Sequence, residues 1–138
     1  MTGEIFLETE RLVLRRFTAA DADLLVDLDG DPEVMHFITG GRTTSSEEIE
    51  TATLPAFLSY YDRFDGYGFW AIEEKSSGEF IGWFHLRAAL GHPPDEPEPG
   101  YRLKRPAWGN GYAAEGSRAL IDSAFTDYGA KRVFAETV

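Results

Sequence analysis

Residues 99–116 read PGYRLKRPAWGNGYAAEG, and two phosphate-binding devices compete for them. The stretch GNGYAA, 109–114, satisfies GxGxxA, the glycine fingerprint of a dinucleotide-binding turn. The overlapping WGNGYA, 108–113, also suits a phosphate loop of another kind, set at the start of a helix. A helix start offers unpaired N–H groups and about half a unit of positive charge, and glycines there let an anion approach the backbone. Both devices use that physics, so the surroundings must separate them.

Downstream, Ala113, Ser117, Leu120, Ile121, Ala124, Phe125 and Tyr128 recur at helical spacing, and Gly129 stands where a left-handed C-cap belongs. KRVFAETV, 131–138, then reads as a strand. Strand, GxGxxA, helix, strand, with Glu136 where a ribose-binding carboxylate would stand, supports a dinucleotide (NAD(P)) unit. Against it, YRLKRPAW, 101–108, is charged and alternating, whereas that unit needs an apolar strand running straight into the glycines. The unit also arrives last in the chain rather than opening a series of βα repeats.

Working outward, Arg11 to Phe17 alternates as a strand. Thr18 with Asp21 fits a capping box ahead of Leu24, Leu25 and Leu28, and that helix should end before Pro32. Ser45 and Glu48 repeat the capping spacing before Ile49, Phe57, Leu58, Tyr61 and Phe64, with a kink or break expected at Pro55. GFWAIEEK, 68–75, and FIGWFHLR, 80–87, flank SSGE as an antiparallel hairpin. LGHPPDEPEPG, 90–100, reads as a Pro-rich loop, and Tyr101–Arg105 as a short strand. This order predicts an α/β (α+β mixed) fold, a mixed, mostly antiparallel sheet flanked by helices.

A chain of 138 residues is the size of one domain, so 1–138 is expected to form a single domain around one core. Its net charge of -11 repels phosphate backbones and anionic bilayers, which argues against nucleic-acid and membrane partners and modestly favours a cationic or amine substrate. The absence of cysteine excludes disulfides and thiolate nucleophiles, and His36, His85 and His92 make no metal constellation, so no metal is expected. With no leader or membrane-span pattern in the sequence, a cytoplasmic location is the expectation.

ETERLVLRRF (8–17), DLDGDPEVMHFI (27–38), GFWAIEEKSSGEFIGWFHL (68–86), PGYRLKRPAWGNGYAAEGSRALIDSAF (99–125) and RVFAE (132–136) together resemble the GNAT acetyltransferase superfamily. The resemblance is closest to the ribosomal-protein N-terminal acetyltransferase branch and runs through nearly the whole chain in order. It implies transfer of an acetyl group from acetyl-CoA (coenzyme A) to a primary amine, either a peptide or protein N-terminus or a small amine, by direct attack on the thioester. A non-catalytic acyl-CoA-binding module is the alternative. Trp108, Gly111 and Ala113 fall on the three fixed places of the family's phosphate loop, with Trp108 where Arg or Gln is usual. The resemblance gives the backbone N–H groups of Gly109, Asn110, Gly111, Tyr112, Ala113 and Ala114 to the pyrophosphate. It pairs Tyr101, Arg102 and Leu103 with the pantetheine arm, and Leu103 N–H is expected to polarise the thioester carbonyl. Lys104 and Arg105 are the candidates for the 3′-phosphate; Arg11, Arg15 and Arg16 are read as surface charges.

Acetyl transfer needs a neutral amine, a polarised carbonyl and an acid for the departing thiolate. Glu98 is the candidate base, because it resembles the Glu that often precedes Gly-Tyr on the family's fourth strand. Its competing reading is a solvated acid in a Pro-rich loop. Glu136 carries the same two readings. Trp70, Trp83 and Phe84 could line an acceptor pocket, although aromatics at strand spacing more often pack a core. The family continues past the place of Val138 into a helix and two more strands that supply the thiolate's acid. The expectations are therefore a C-terminally incomplete fold and an exposed sheet edge at Val133 and Phe134, open to homodimer formation.

Overall fold

The computed structural model describes residues 3–63, 67–88 and 97–127. The expected strand at 131–138 lies outside them, as do Phe64, His92, Tyr128, Gly129, Val133, Phe134 and Glu136. Five strands, β1 (Ile5–Glu8), β2 (Leu12–Arg16), β3 (Gly68–Glu74), β4 (Phe80–Ala88) and β5 (Pro97–Leu103), pair in chain order, each antiparallel to the next. Between β2 and β3 lie α1 (Ala22–Asp29), α2 (Pro32–Thr39), α3 (Ser46–Glu48), a π-helical turn (Ile49–Thr53) and α4 (Leu54–Arg63). A 3-10 turn, Arg105–Ala107, joins β5 to α5 (Tyr112–Asp127).

Three local readings hold at residue level. Thr18 and Asp21 form a reciprocal capping box, closing a 3-10 turn (Ala19–Asp21) ahead of α1. The hairpin of β3 and β4 forms, with Trp70 opposite Phe84 and Ala71 opposite Trp83. Pro55 has no N–H to donate, and the helix accommodates it through the preceding π-helical turn, where Leu54 N–H reaches Ile49 C=O.

Others are corrected. β1 was not expected, because IFLE is too short to show alternation; it adds an edge strand opposite β2. The first helix does end before Pro32, at Asp29, and what the sequence did not show is that Pro32 opens α2: it sits in the first turn, where its missing N–H costs nothing, and Asp31 accepts from Glu33 N–H at 2.9 Å. Residues 97–100 belong to β5 rather than to a loop. Lys104 N–H bonds Ile81 C=O, so the antiparallel alternation directs the backbone of Arg102, Gly100 and Glu98 toward β4. Leu103, Tyr101, Pro99 and Pro97 face the other edge, where proline removes no ladder bond. Arg15 is not a surface charge: it is 3% exposed, with Nη1 donating to Asp21 at 2.9 Å and Nε to Glu73 at 2.8 Å. The charged and apolar alternation of 11–17 has a physical basis, but the buried guanidinium is bought by two carboxylates from other segments.

Two apolar layers cover the sheet. One face packs Leu12, Leu14, Trp70, Ile72, Phe84 and Leu103 against Leu120 and Ala124 of α5. The other packs Phe17, Phe80 and Trp83 against Leu25, Leu28, Val34, Leu54 and Phe57 of the first helices. Trp70, Trp83 and Phe84 are therefore core residues of the two layers. Each such burial stabilises by roughly 1.5–3 kcal/mol. The α5 layer is close enough that a Cβ on Gly116 would lie 2.1 Å from the Phe84 ring. Gly116→Ala is expected to lower unfolding stability by about 1–3 kcal/mol, read as a lower urea midpoint at unchanged slope.

Candidate functional site

The chain leaves β5 through the 3-10 turn, and Gly109 and Gly111 then adopt φ of 79° and 78°. That left-handed conformation is open to glycine and strained for most other residues. Glu115 N–H closes the first turn of α5 on Gly111 C=O, so the N–H groups of Gly111, Tyr112, Ala113 and Ala114 have no acceptor within the helix. The intervening turn also disposes of the dinucleotide reading, in which the strand would run directly into the glycines.

Side chains brace this loop. Asn110 Nδ2 donates to Ala107 C=O at 3.1 Å, and Trp108 Nε1 donates to the outward-facing carbonyl of Leu103 at 3.0 Å. The Trp108 ring is 43% exposed and lies beside Pro32, Glu33 and His36. Arg11, read from the sequence as a surface charge, instead joins the loop: its Nη1 donates to Asn110 C=O at 2.8 Å and its Nε to Glu115 Oε1 at 2.7 Å. Burial pushes the Glu115 carboxyl up, but hydrogen bonds from the Thr9 hydroxyl, Arg11 N–H and the Arg11 guanidinium outweigh it and hold the group below the usual carboxylate range. Lys104 and Arg105 turn toward the first helices, where Lys104 Nζ meets Asp27 at 2.7 Å and Arg105 Nε meets Glu33 at 2.5 Å.

The face of β5 toward the first helices carries Arg102, Gly100 and Glu98, opposite Trp83, His85 and Arg87 of β4. Glu98 is 7% exposed, so it is not a solvated loop acid; its Oε1 accepts from Arg87 Nη2 at 2.8 Å and Nε at 3.0 Å. Arg102 Nη1 donates to Asp29 of α1 at 2.8 Å, and its guanidinium lies 5.1 Å above the Trp83 ring. The His85 ring crosses Gly100, where a Cβ would come within 2.4 Å of it, and its Nε2 stands 3.9 Å from Glu98 Oε1, beyond hydrogen-bond reach. Trp83 Nε1, both nitrogens of His85 and Arg102 Nε are buried without a hydrogen-bond partner among the described residues. Left without any partner, each such group would cost about 1–3 kcal/mol, so each calls for a partner beyond the described side chains.

The pattern of Glu98 with Gly-Tyr was legible in the sequence; the unpaired His85 beside it was not, because only the β4 to β5 register brings them together. Burial, with Arg87 and Arg102 nearby, pushes His85 down to about 3 from the 6.5 of a free imidazole. The unfolded chain therefore takes the proton first. Stability from this group is complete above about pH 7, falls as pH drops through 6.5, and is fully lost near 3. His85→Gln is expected to flatten the loss of melting temperature between pH 6.5 and 4.5 relative to the parent protein, in scans at matched ionic strength.

The comparisons with known proteins settle the lineage. The GNAT acetyltransferase domain model matches residues 11–138. This chain belongs to the GNAT acetyltransferase family. The FsC-acetyl coenzyme A-N(2)-transacetylase of Aspergillus fumigatus is 32% identical over 96% of this GNAT chain and 57% of its own length. The uncharacterized N-acetyltransferase YoaA of Bacillus subtilis is 30% identical over 94% of the chain and 71% of its own length. The chain thus spans little more than half of the fungal relative. Among solved structures, the ribosomal alpha-N-protein acetyltransferase RimL in complex with coenzyme A superposes with a TM-score of 0.69 over 92% of this chain and 70% of that one, at 18% identity. That likeness establishes a shared fold with a ribosomal-protein acetyltransferase.

Proposed function

We propose that this chain binds acetyl-CoA at the Gly109–Ala114 loop and acts in N-acetylation of a primary amine, on a peptide or protein N-terminus or a small molecule. The observation that carries the reading is the juxtaposition of two backbone donor sets. The unpaired N–H groups at the start of α5 suit a pyrophosphate, and the outward N–H groups of Tyr101 and Leu103 suit an extended amide-bearing arm beside them. Pro97 and Pro99 cannot donate, which confines that pairing to the Tyr101–Leu103 end. The fungal relative is named for acetyl coenzyme A, and RimL was solved with coenzyme A. Lys104 and Arg105 can contribute to a 3′-phosphate, because their partly exposed ion pairs with Asp27 and Glu33 are weak enough to exchange.

Acetyl-CoA supplies an activated thioester; the protein supplies orientation and proton transfer. Of the two outward N–H groups, that of Leu103, nearest the α5 loop, pairs with the arm, and that of Tyr101, closer to Glu98, is the donor for the thioester carbonyl. Glu98 takes the amine's proton through a water, the nitrogen lone pair forms the new C–N bond, and the C–S bond breaks to release coenzyme A as the thiolate. Among the described residues no donor bonds Glu98 Oε2, which leaves that oxygen available for the task. The unpaired polar atoms of Trp83, His85 and Arg102 support an acceptor site on the same face. The net charge of -11 favours capture of a cationic amine.

A thiol-release assay with acetyl-CoA over a panel of amines and peptides tests this reading. Amine-dependent release supports it; binding without release from any amine would favour the acyl-CoA-binding module.

A further inference from the structure

We infer that Arg11 is a positioning residue for the coenzyme loop, aiming the Gly111 N–H into the anion cradle by holding the carbonyl of the same peptide. The inference rests on the coenzyme reading above and assigns a role to a side chain that the sequence placed on the surface.

The 110–111 peptide is planar and trans, so its C=O and N–H point in opposite directions. Arg11 Nη1 takes the Asn110 oxygen at 2.8 Å and thereby commits the Gly111 N–H to the other side. Were the peptide to flip, an electronegative oxygen would face the bound phosphates. The need for a brace follows from the sequence: glycines at 109 and 111 give the segment the widest choice of backbone conformations. The Asn110 side chain ties back to Ala107, but it does not determine the orientation of the 110–111 peptide.

Arg11 can serve as a brace because its guanidinium is held by two residues of α5, each of them tied in turn to another part of the sheet. Its Nε is held by Glu115 Oε1 on the first turn of α5 at 2.7 Å. The other oxygen of that carboxylate accepts Arg11 N–H at 3.0 Å and the Thr9 hydroxyl at 2.5 Å, at the entrance to β2. The guanidinium carbon lies 4.4 Å from the centre of the Tyr112 ring, whose hydroxyl donates to Glu74 at the end of β3 at 2.6 Å. The same arrangement neutralises Glu115, an acid in the helix turn that receives the anion. A lysine would keep the charge but could not hold both the Glu115 carboxylate and the Asn110 carbonyl in this forked geometry.

The test measures affinities of the full chain for acetyl-CoA, dephospho-CoA and S-acetylpantetheine, the last of which lacks the pyrophosphate and nucleotide. Arg11→Gln and Arg11→Lys are each expected to weaken acetyl-CoA and dephospho-CoA by at least about tenfold, the loss of one charge-assisted hydrogen bond. S-acetylpantetheine should bind each variant as it binds the parent. Equal weakening of all three ligands would reduce Arg11 to a general structural role and overturn the inference. A loss seen with acetyl-CoA but not dephospho-CoA would overturn it in favour of direct contact with the 3′-phosphate. Parent-like affinity in Arg11→Lys would show that charge alone suffices, and would overturn it too. If the parent protein binds acetyl-CoA no better than S-acetylpantetheine, the coenzyme reading fails first and takes this inference with it.

Discussion

Gly111→Val is expected to weaken acetyl-CoA binding by at least about a hundredfold while the melting temperature changes little. Gly111 holds φ at 78°, where an L-residue costs about 1–2 kcal/mol and a β-branched side chain more. The loop can escape that cost by returning to negative φ, which turns the N–H groups at the start of α5 away from a common point. A Cβ at this position would also stand 3.5 Å from Arg11 Nη2, so the γ-methyls would press on the guanidinium that holds the Asn110 carbonyl. Neither effect reaches the Phe84 and Leu120 layer, which is why stability should survive. Calorimetric affinity and a thermal scan of the same sample check both halves of the expectation.

Glu98→Gln is expected to lower the turnover of the amine by about 10²–10⁴-fold, with acetyl-CoA affinity unchanged. The substitution keeps size and an oxygen for the Arg87 bonds, so the β4 to β5 register should persist. It removes the ability to accept a proton. Because Glu98 belongs to the face toward α1, away from the α5 loop, a variant that lost coenzyme affinity in step with turnover would argue for a structural role instead. Single-turnover rates at saturating acetyl-CoA, alongside equilibrium affinity, separate the outcomes.

Legibility in the sequence followed the range of the interactions involved. The Thr18 to Asp21 cap, the β3 to β4 hairpin and the helix after Gly111 are built from neighbours in the chain, and all three were readable. The glycine loop proposed for the coenzyme was readable as a position, since Gly109 and Gly111 do stand at positive φ just before α5. What escaped depends on partners far away in sequence. Arg11 meets Asn110 and Glu115 across about a hundred residues, and Arg15 is buried only because Asp21 and Glu73 converge on it. Likewise, Pro97 and Pro99 read as loop residues until the pairing phase of β5 shows them facing the edge that no described strand covers. Glu98 was found through its resemblance to a family pattern, but its burial and its clamp on Arg87 depend on register, which composition does not encode.

Isothermal titration with acetyl-CoA tests the placement of the coenzyme most directly. One saturable site of micromolar affinity is expected in the parent protein, with the heat of binding lost in Gly111→Val. Failure to bind acetyl-CoA, undiminished binding by the Val variant, or saturation by NAD in its place would contradict the assignment of the Gly109–Ala114 loop to the coenzyme pyrophosphate.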